Sequence, residues 1–207
     1  MKMILATKTD NLPTFIRNKD GFHPTEQEDI FSMFDRAGYW CGPREELEQN
    51  PSFKQIIPYV IIKVGDKYLS YKRTSKGGEE RLHDKISIGF GGHIDFSDVC
   101  RHQDNVDIFS TLEDTAMREV VEEIGRFDDV FNENKYQWIG LVNDESNAVG
   151  QVHIGVVCVV SLDEKDLPNE SDDESIAELN LLTLGELQSS ELNLETWTEF
   201  VVDYLAQ

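Results

Sequence analysis

Arg118-Glu119-Val120-Val121-Glu122-Glu123-Ile124-Gly125 decides how this chain is to be read. With Glu119 at zero and about 100° per helical residue, Glu122 falls at about −60° and Glu123 at about +40°. Three carboxylates then share about one quarter-turn of surface. Met117, Val120, Val121 and Ile124 fall between about 100° and about 200°, so an apolar stripe can dock on a core while the acids face one way. Like charges at these spacings cost a few tenths of a kcal/mol per pair. Two arrangements offset that cost. The acids are solvated and screened by Arg118 and Arg126, or they grip a divalent cation, for which hard oxygen ligands suit Mg²⁺ or Mn²⁺. The spacing alone leaves both open.

Upstream lies Gly89-Phe90-Gly91-Gly92-His93, at the exit of a short strand expected over Ile86–Phe90. Paired glycines let backbone approach a ligand closely, or simply make a tight turn. The helix itself is expected over Leu112–Gly125. Further out, β-branched runs predict strands over Ile56–Val64 and Lys67–Thr74, joined by a Gly65-Asp66 hairpin turn. Ser75–Asp84 reads as a loop. Strands are also expected over Tyr136–Val142 and Val152–Leu162, joined by a polar loop. The acid-rich stretch Asp163–Glu178 reads as a solvated loop, and Leu187 to Leu205 as an amphipathic closing helix. Residues 1–50 form an N-terminal extension of one helix (Thr25–Ala37, ended by Gly38) plus loops, and residues 51–207 the main domain. Without regular βαβ alternation the fold class is α+β, a mixed sheet flanked by helices.

The 207 residues carry 40 acids against 19 Lys and Arg, a formal charge of −21. That excludes a protein holding nucleic acid or an anionic membrane by a basic surface. A small phosphorylated ligand is compatible, since a divalent metal bridges acids to phosphates. No apolar run is long enough to span a bilayer, and the first residues make too short an apolar stretch for a signal peptide. Cys41, Cys100 and Cys158 have no CxxC spacing, which fits free thiols and a reducing, cytoplasmic setting.

A glycine-rich strand exit followed by R-E-x-x-E-E-x-G on a helix resembles the Nudix, or MutT-like, hydrolase family, whose signature is G-x5-E-x7-R-E-U-x-E-E-x-G-U with U aliphatic. Gly92 corresponds to its first glycine, and Arg118, Glu119, Val120, Glu122, Glu123 and Gly125 match its second half. Gly91-Gly92-His93-Ile94, the Tyr71-Lys72 neighbourhood and Gln55-Ile56-Ile57-Pro58-Tyr59 resemble a predicted phosphoesterase branch of that family. The resemblance covers about residues 50–207 and implies an α/β/α sandwich. Three departures stand out. Gly92 and Arg118 are 118 − 92 = 26 positions apart where the signature has 14, so about 12 residues are inserted. Its first glutamate is missing: Asp98 lies six positions after Gly92, with Asp95, Asp104, Asp107 and Glu113 also near. The last aliphatic position is Arg126.

The resemblance implies Glu122 and Glu123 as metal ligands, a backbone carbonyl at Gly91 as a third, and Arg118 as an orienting residue. It implies Glu119 as a further ligand or as the general base for water, with Asp144 or Glu145 as the alternative base. The cofactor would be Mg²⁺ or Mn²⁺. The reaction would be hydrolysis of the phosphoanhydride bond of a nucleoside diphosphate linked to another moiety. Arg73, Lys85 and His93 are the substrate contacts, with Lys72 on the opposite face of its strand from Arg73. His153 and the aromatics Tyr59, Tyr68, Phe90 and Trp138 read as structural. The partner is then a small nucleotide derivative, with no membrane or stable nucleic-acid binding; a homodimer follows only by analogy. The rival reading is a catalytically impaired Nudix-fold nucleotide-binding or regulatory module. An isoprenoid diphosphate isomerase is a third, which the position of Cys100, away from the glycines, disfavours.

Overall fold

The two most apolar stretches of the chain lie side by side at the centre of the structure, a computed structural model that describes residues 1–74, 83–125, 136–167, 171 and 173–207. They are Phe53–Val64 and His153–Ser161, paired in parallel from Gln55↔His153 to Lys63↔Ser161. Strands at such a position are covered on both faces, which is why they read as β-branched runs instead of alternating ones.

In chain order the strands are β1 (Met3–Lys8), β2 (Gly21–Pro24), β3 (Trp40–Pro43), β4 (Phe53–Val64), β5 (Lys67–Arg73), β6 (Ile86–Ser87), β7 (Gly89–Phe90), β8 (Arg101–His102), β9 (Asn105–Val106), β10 (Tyr136–Asn143), β11 (His153–Ser161) and β12 (Ile176–Thr183). The helices are α1 (Thr14–Arg17), α2 (Gln27–Ala37), α3 (Arg44–Leu47), α4 (Ile108–Ile124), α5 (Leu184–Leu187) and α6 (Thr196–Leu205). The main sheet runs β12-β5-β4-β11-β10-β2 and is antiparallel except at β4–β11. β8 and β9 form a separate two-residue hairpin.

One edge of β4 is shared among three partners. β1 pairs with its start (Phe53–Gln55), β7 with its middle (Val60, Ile61) and β5 with its end (Lys63, Val64). Pro58, which has no N–H, sits where neither β1 nor β7 pairs. After β7, the chain crosses this gap as Gly91-Gly92-His93 and rejoins β1, where Leu5 N–H donates to Ile94 O at 2.9 Å.

Helices α2 and α4 cover one face, packing Ile30, Phe34, Leu112, Ala116 and Val120 on Ile56, Val60 and Val156. Helix α6 covers the other, packing Val201 and Val202 on Tyr59, Ile61 and Val157. This is the α/β/α layering of a mixed sheet that was expected. No helix among the described residues is long and apolar enough to cross a membrane.

Most sequence-derived elements are recovered with shifted ends and several more appear, but the closing helix expected from Leu187 to Leu205 is confined to α6, Leu187 ending the separate α5. The strand expected over Ile86–Phe90 is two pieces, β6 on β5 and β7 on β4, because it changes partner at Ile88. Residues 1–50, expected as one helix plus loops, hold that helix as α2 but also place β1, β2 and β3 in the main sheet. The acid-rich stretch turns into β12 at Ile176, so its last residues are not loop. Most of the Ser75–Asp84 loop, Arg126 and part of the acid-rich stretch lie outside the described residues.

Candidate active site

Helix α4 starts at an Asp107 cap, whose carboxylate accepts from Ser110 N–H at 3.1 Å. That satisfies one of the donors a helix start leaves open. Ile108, Leu112, Ala116, Val120 and Ile124 follow at strict i,i+4 spacing, and all are buried. This row, with Thr111 and Thr115, is the docking stripe. Met117 and Val121, expected in the stripe, are 41% and 38% exposed. The row is set by the whole helix, so the stripe lies further round than the period of its last two turns predicts.

The docking turns Glu119 and Glu123 towards Gly91-Gly92. A Cβ added to Gly92 would lie 2.5 Å from Glu119 Oε2, and one on Gly91 would overlap the Pro58 carbonyl oxygen. Glycine at both positions therefore lets backbone lie between the helix carboxylates and β4. The Gly91 N–H donates to Glu123 Oε2 at 3.1 Å. Burial raises the Glu119 carboxyl above its ordinary range, against the pull of Arg118. Burial also pushes Glu123 up to about 8; Arg73 and the Gly91 amide oppose this, while the Glu119 charge adds to it. Glu122 points outward, its side chain 59% exposed.

Arg118 ties this helix to the glycine segment. Its Nη2 donates to Asp98 Oδ2 at 2.8 Å and to His93 O at 3.0 Å, and its Nη1 to Glu119 Oε1 at 2.7 Å and Glu122 Oε2 at 3.1 Å. Although burial opposes its charge, Asp98 and Glu119 hold it cationic well above the ordinary range. Of the five acids the sequence left open, Asp98 is the one on Arg118. Asp95 pairs with Lys2 at 3.1 Å, Asp107 caps α4, Asp104 is exposed in the β8–β9 turn and Glu113 lies on α4. The residues between Asp98 and Arg118 are accommodated as that hairpin plus extra turns at the start of α4.

On the other side of the glycines lies a cleft of about 250 Å³. Arg44, Arg73, His93, Asp144, His153 and Trp197 line it, over a floor that includes Tyr59 and Glu195. Arg73 Nε donates to Glu195 Oε2 at 3.1 Å, and Tyr59 and Ser87 donate their hydroxyls to Glu195 Oε1. The ring nitrogens His93 Nε2 and His153 Nε2 are 3.2 Å apart. His153 Nδ1 lies 2.7 Å from Val149 O, which only accepts, so that nitrogen carries a proton. Burial, then the charge of Arg44 and the neighbouring His153, pushes His93 down to about 2, so it is neutral at physiological pH.

Some expected contacts are elsewhere. Lys85 does not line the cleft; its Nζ donates to Leu194 O at 3.5 Å. Lys72 pairs with Asp84 at 3.3 Å, away from Arg73 as strand alternation requires. Tyr68, Phe90 and Trp138 are core, whereas Tyr59 is both core and cleft floor. Glu145 is 2.6 Å from the buried Lys54 ammonium, and Asp144 accepts from Ser146 and from Asn147 Nδ2 at 2.6 Å. Arg44, Glu195 and Trp197 were missed. They come from α3, from α6 and from the residue just before α6, and no local pattern points them at Gly91.

Oxygen donors on successive turns, one of them buried beside a like charge, suit a hard divalent cation, which would offset the burial and the repulsion that raise Glu119 and Glu123. Among the described residues no three His, Cys, Asp or Glu side chains already converge on one point. Glu119 and Glu122 are both turned onto Arg118. The donor set fits a metal, and filling it requires those two carboxylates to leave or share Arg118.

No family model matches the chain. Protein YmaB of Bacillus subtilis (strain 168) is 38% identical to it over 174 residues, covering 82% of this chain and 79% of that protein. Among solved structures, Tm1382, assigned to the Nudix hydrolases, superposes with a TM-score of 0.74 at 26% identity, covering 98% of this chain and 97% of the other. The Nudix domain of Shewanella oneidensis NrtR, solved with ADP ribose, shares the fold at a TM-score of 0.52 and 13% identity, covering 74% of this chain and 86% of the other. The chain therefore belongs to one family with Bacillus subtilis YmaB, and it has the Nudix fold.

Proposed function

We propose that this chain is a divalent-metal-dependent pyrophosphohydrolase, cleaving the phosphoanhydride bond of a nucleoside diphosphate linked to another moiety. The observation that carries the reading is the packing of Glu119 and Glu123 against Gly91-Gly92, the backbone that also lines the arginine-bearing cleft. Glu119, Glu122 and Glu123 would hold Mg²⁺ or Mn²⁺, with the Gly91 carbonyl as a further oxygen. Such an ion neutralises pyrophosphate charge and lowers the pKa of water.

The rest is the work of the chain itself. Arg118 orients Glu119 and is itself fixed by Asp98, which takes the place of the signature glutamate. Glu119, beside the glycine backbone and held by Arg118, is the general base in this reading. Asp144, which lines the cleft, or Glu145 is the alternative base. Arg73 and His93 face the substrate from the cleft. Lys85, whose Nζ donates to Leu194 O, is left out of this proposal. Residues 51–207 carry the hydrolase site, and residues 1–50 complete its sheet. A reducing, cytoplasmic setting suits the three unpaired cysteines.

Product release should be measured with Mg²⁺ or Mn²⁺ over a panel headed by ADP-ribose, with NADH, nucleotide sugars and nucleoside triphosphates. Metal-dependent cleavage of one class is expected, with kcat falling about 10²- to 10⁴-fold in Glu119→Gln and KM nearly unchanged. No turnover of any member by the wild type, with nucleotide still bound, would establish a binding module instead. Full activity in Glu119→Gln would move the base elsewhere.

A further inference from the structure

The cleft holds two guanidiniums in different states. Arg73 is committed: it donates to Glu195, lies 5.3 Å from the Tyr71 ring centroid, and feels the charge of Glu123. Arg44 is not. It opens α3 directly after β3, and its N–H donates to Lys2 O at 2.9 Å, which anchors it to the start of the chain. Its side chain is 39% exposed, and its ionic partner is Glu48, one helical turn away at 2.6 Å and outside the cleft. Surface pairs of this kind hold their members weakly and exchange readily for a better partner. Arg44 follows β3, whose partner β1 is tied to Ile94 by the Leu5 N–H, so it stands at the His93 end of the glycine segment, whereas Arg73 lies over the ring of Tyr71, whose hydroxyl donates to Gly89 O, at the other end.

A phosphate entering a chain of net charge −21 needs local cations to offset the overall repulsion. A planar guanidinium matches phosphate oxygens in a bidentate fork. We propose that Arg44 is a substrate-recognition residue, gripping a phosphate of the substrate at the His93 end of the cleft, so that the N-terminal segment completes the substrate site. The proposal rests on the reading of the cleft as the substrate site of a phosphoanhydride hydrolase. It commits the first fifty residues to function as well as to the sheet.

The test is calorimetric binding of ADP-ribose and of inorganic pyrophosphate to the full chain, with Ca²⁺ as the divalent ion, for wild type, Arg44→Ala, Arg44→Lys and Glu48→Gln. Arg44→Ala should weaken both probes 10-fold or more. Arg44→Lys should weaken them less, since a lysine keeps the charge but loses the fork. Glu48→Gln should tighten binding by releasing Arg44. In turnover the loss in Arg44→Ala should fall on KM. Should Arg44→Ala melt early, the lysine and Glu48 variants decide. Unchanged affinity in those two, or in a well-folded Arg44→Ala, overturns the proposal while leaving the hydrolase reading intact. A wild type that binds neither probe overturns both.

Discussion

Lys54 has no solvent exposure at all, yet its ammonium is fully provided for. It donates to the carbonyls of Gly150, Gln151 and His153 at 3.0–3.3 Å and pairs with Glu145 at 2.6 Å. These contacts fold the β10–β11 loop, which gives Asp144, Gly150 and His153 to the cleft. Lys54→Met strips the cage of its donor and leaves its acceptors unpaired. A loss of about 3–5 kcal/mol is expected in urea unfolding. Burial lowers the Lys54 ammonium below its usual value of 10.5, with Glu145 restoring part of the shift. Between the lowered folded value and 10.5 the unfolded chain binds the extra proton, so this group adds stability as pH rises. The difference between wild type and Lys54→Met should therefore widen towards pH 10.5. A constant difference would show that the ammonium is not perturbed. The sequence gives no sign of this cage, since a lysine beginning a strand ordinarily reaches solvent. Glu119, Glu122 and Glu123 were legible because their chemistry and their spacing lie in one short stretch.

At the scale of elements, α4 shows where reading from sequence succeeds and stops. Its existence, its end at Gly125 and the closeness of its acids follow from a local period, though Glu122 points outward while Glu119 and Glu123 face the glycines. Its start does not, because Asp107 lies in a run of polar residues with several competing acids. Asp107→Ala should cost about 1 kcal/mol in chemical denaturation. No change would mean that the cap is replaced from within the β8–β9 hairpin. The Asp98–Arg118 pair was equally hidden from a local reading. It bridges a whole hairpin, and only the folded crossing of Gly91-Gly92-His93 brings its two members together. β6 and β7 show the same limit, for one continuous apolar run serves two different neighbours.

Across the whole molecule, the layers were legible and the role of the first fifty residues was not. β2 and β3 are four residues each and contain glycine or proline, so they show no period. Their pairings join distant parts of the chain. Residues 51–207 expressed alone would leave the start of β4 without β1 and β10 without β2. That fragment is expected to aggregate or to melt without cooperativity in circular dichroism. A sharp transition close to that of the full chain would show that the sheet closes without them. β2 also bears on how the protein is made. Its partners run from Pro24↔Gly140 to Gly21↔Asn143, so during translation the strand emerges early and stays unpaired until more than a hundred further residues have left the ribosome. Synthesis proceeds from the N-terminus, but the sheet must close from its middle, and an open edge has to be kept from other nascent chains throughout that delay.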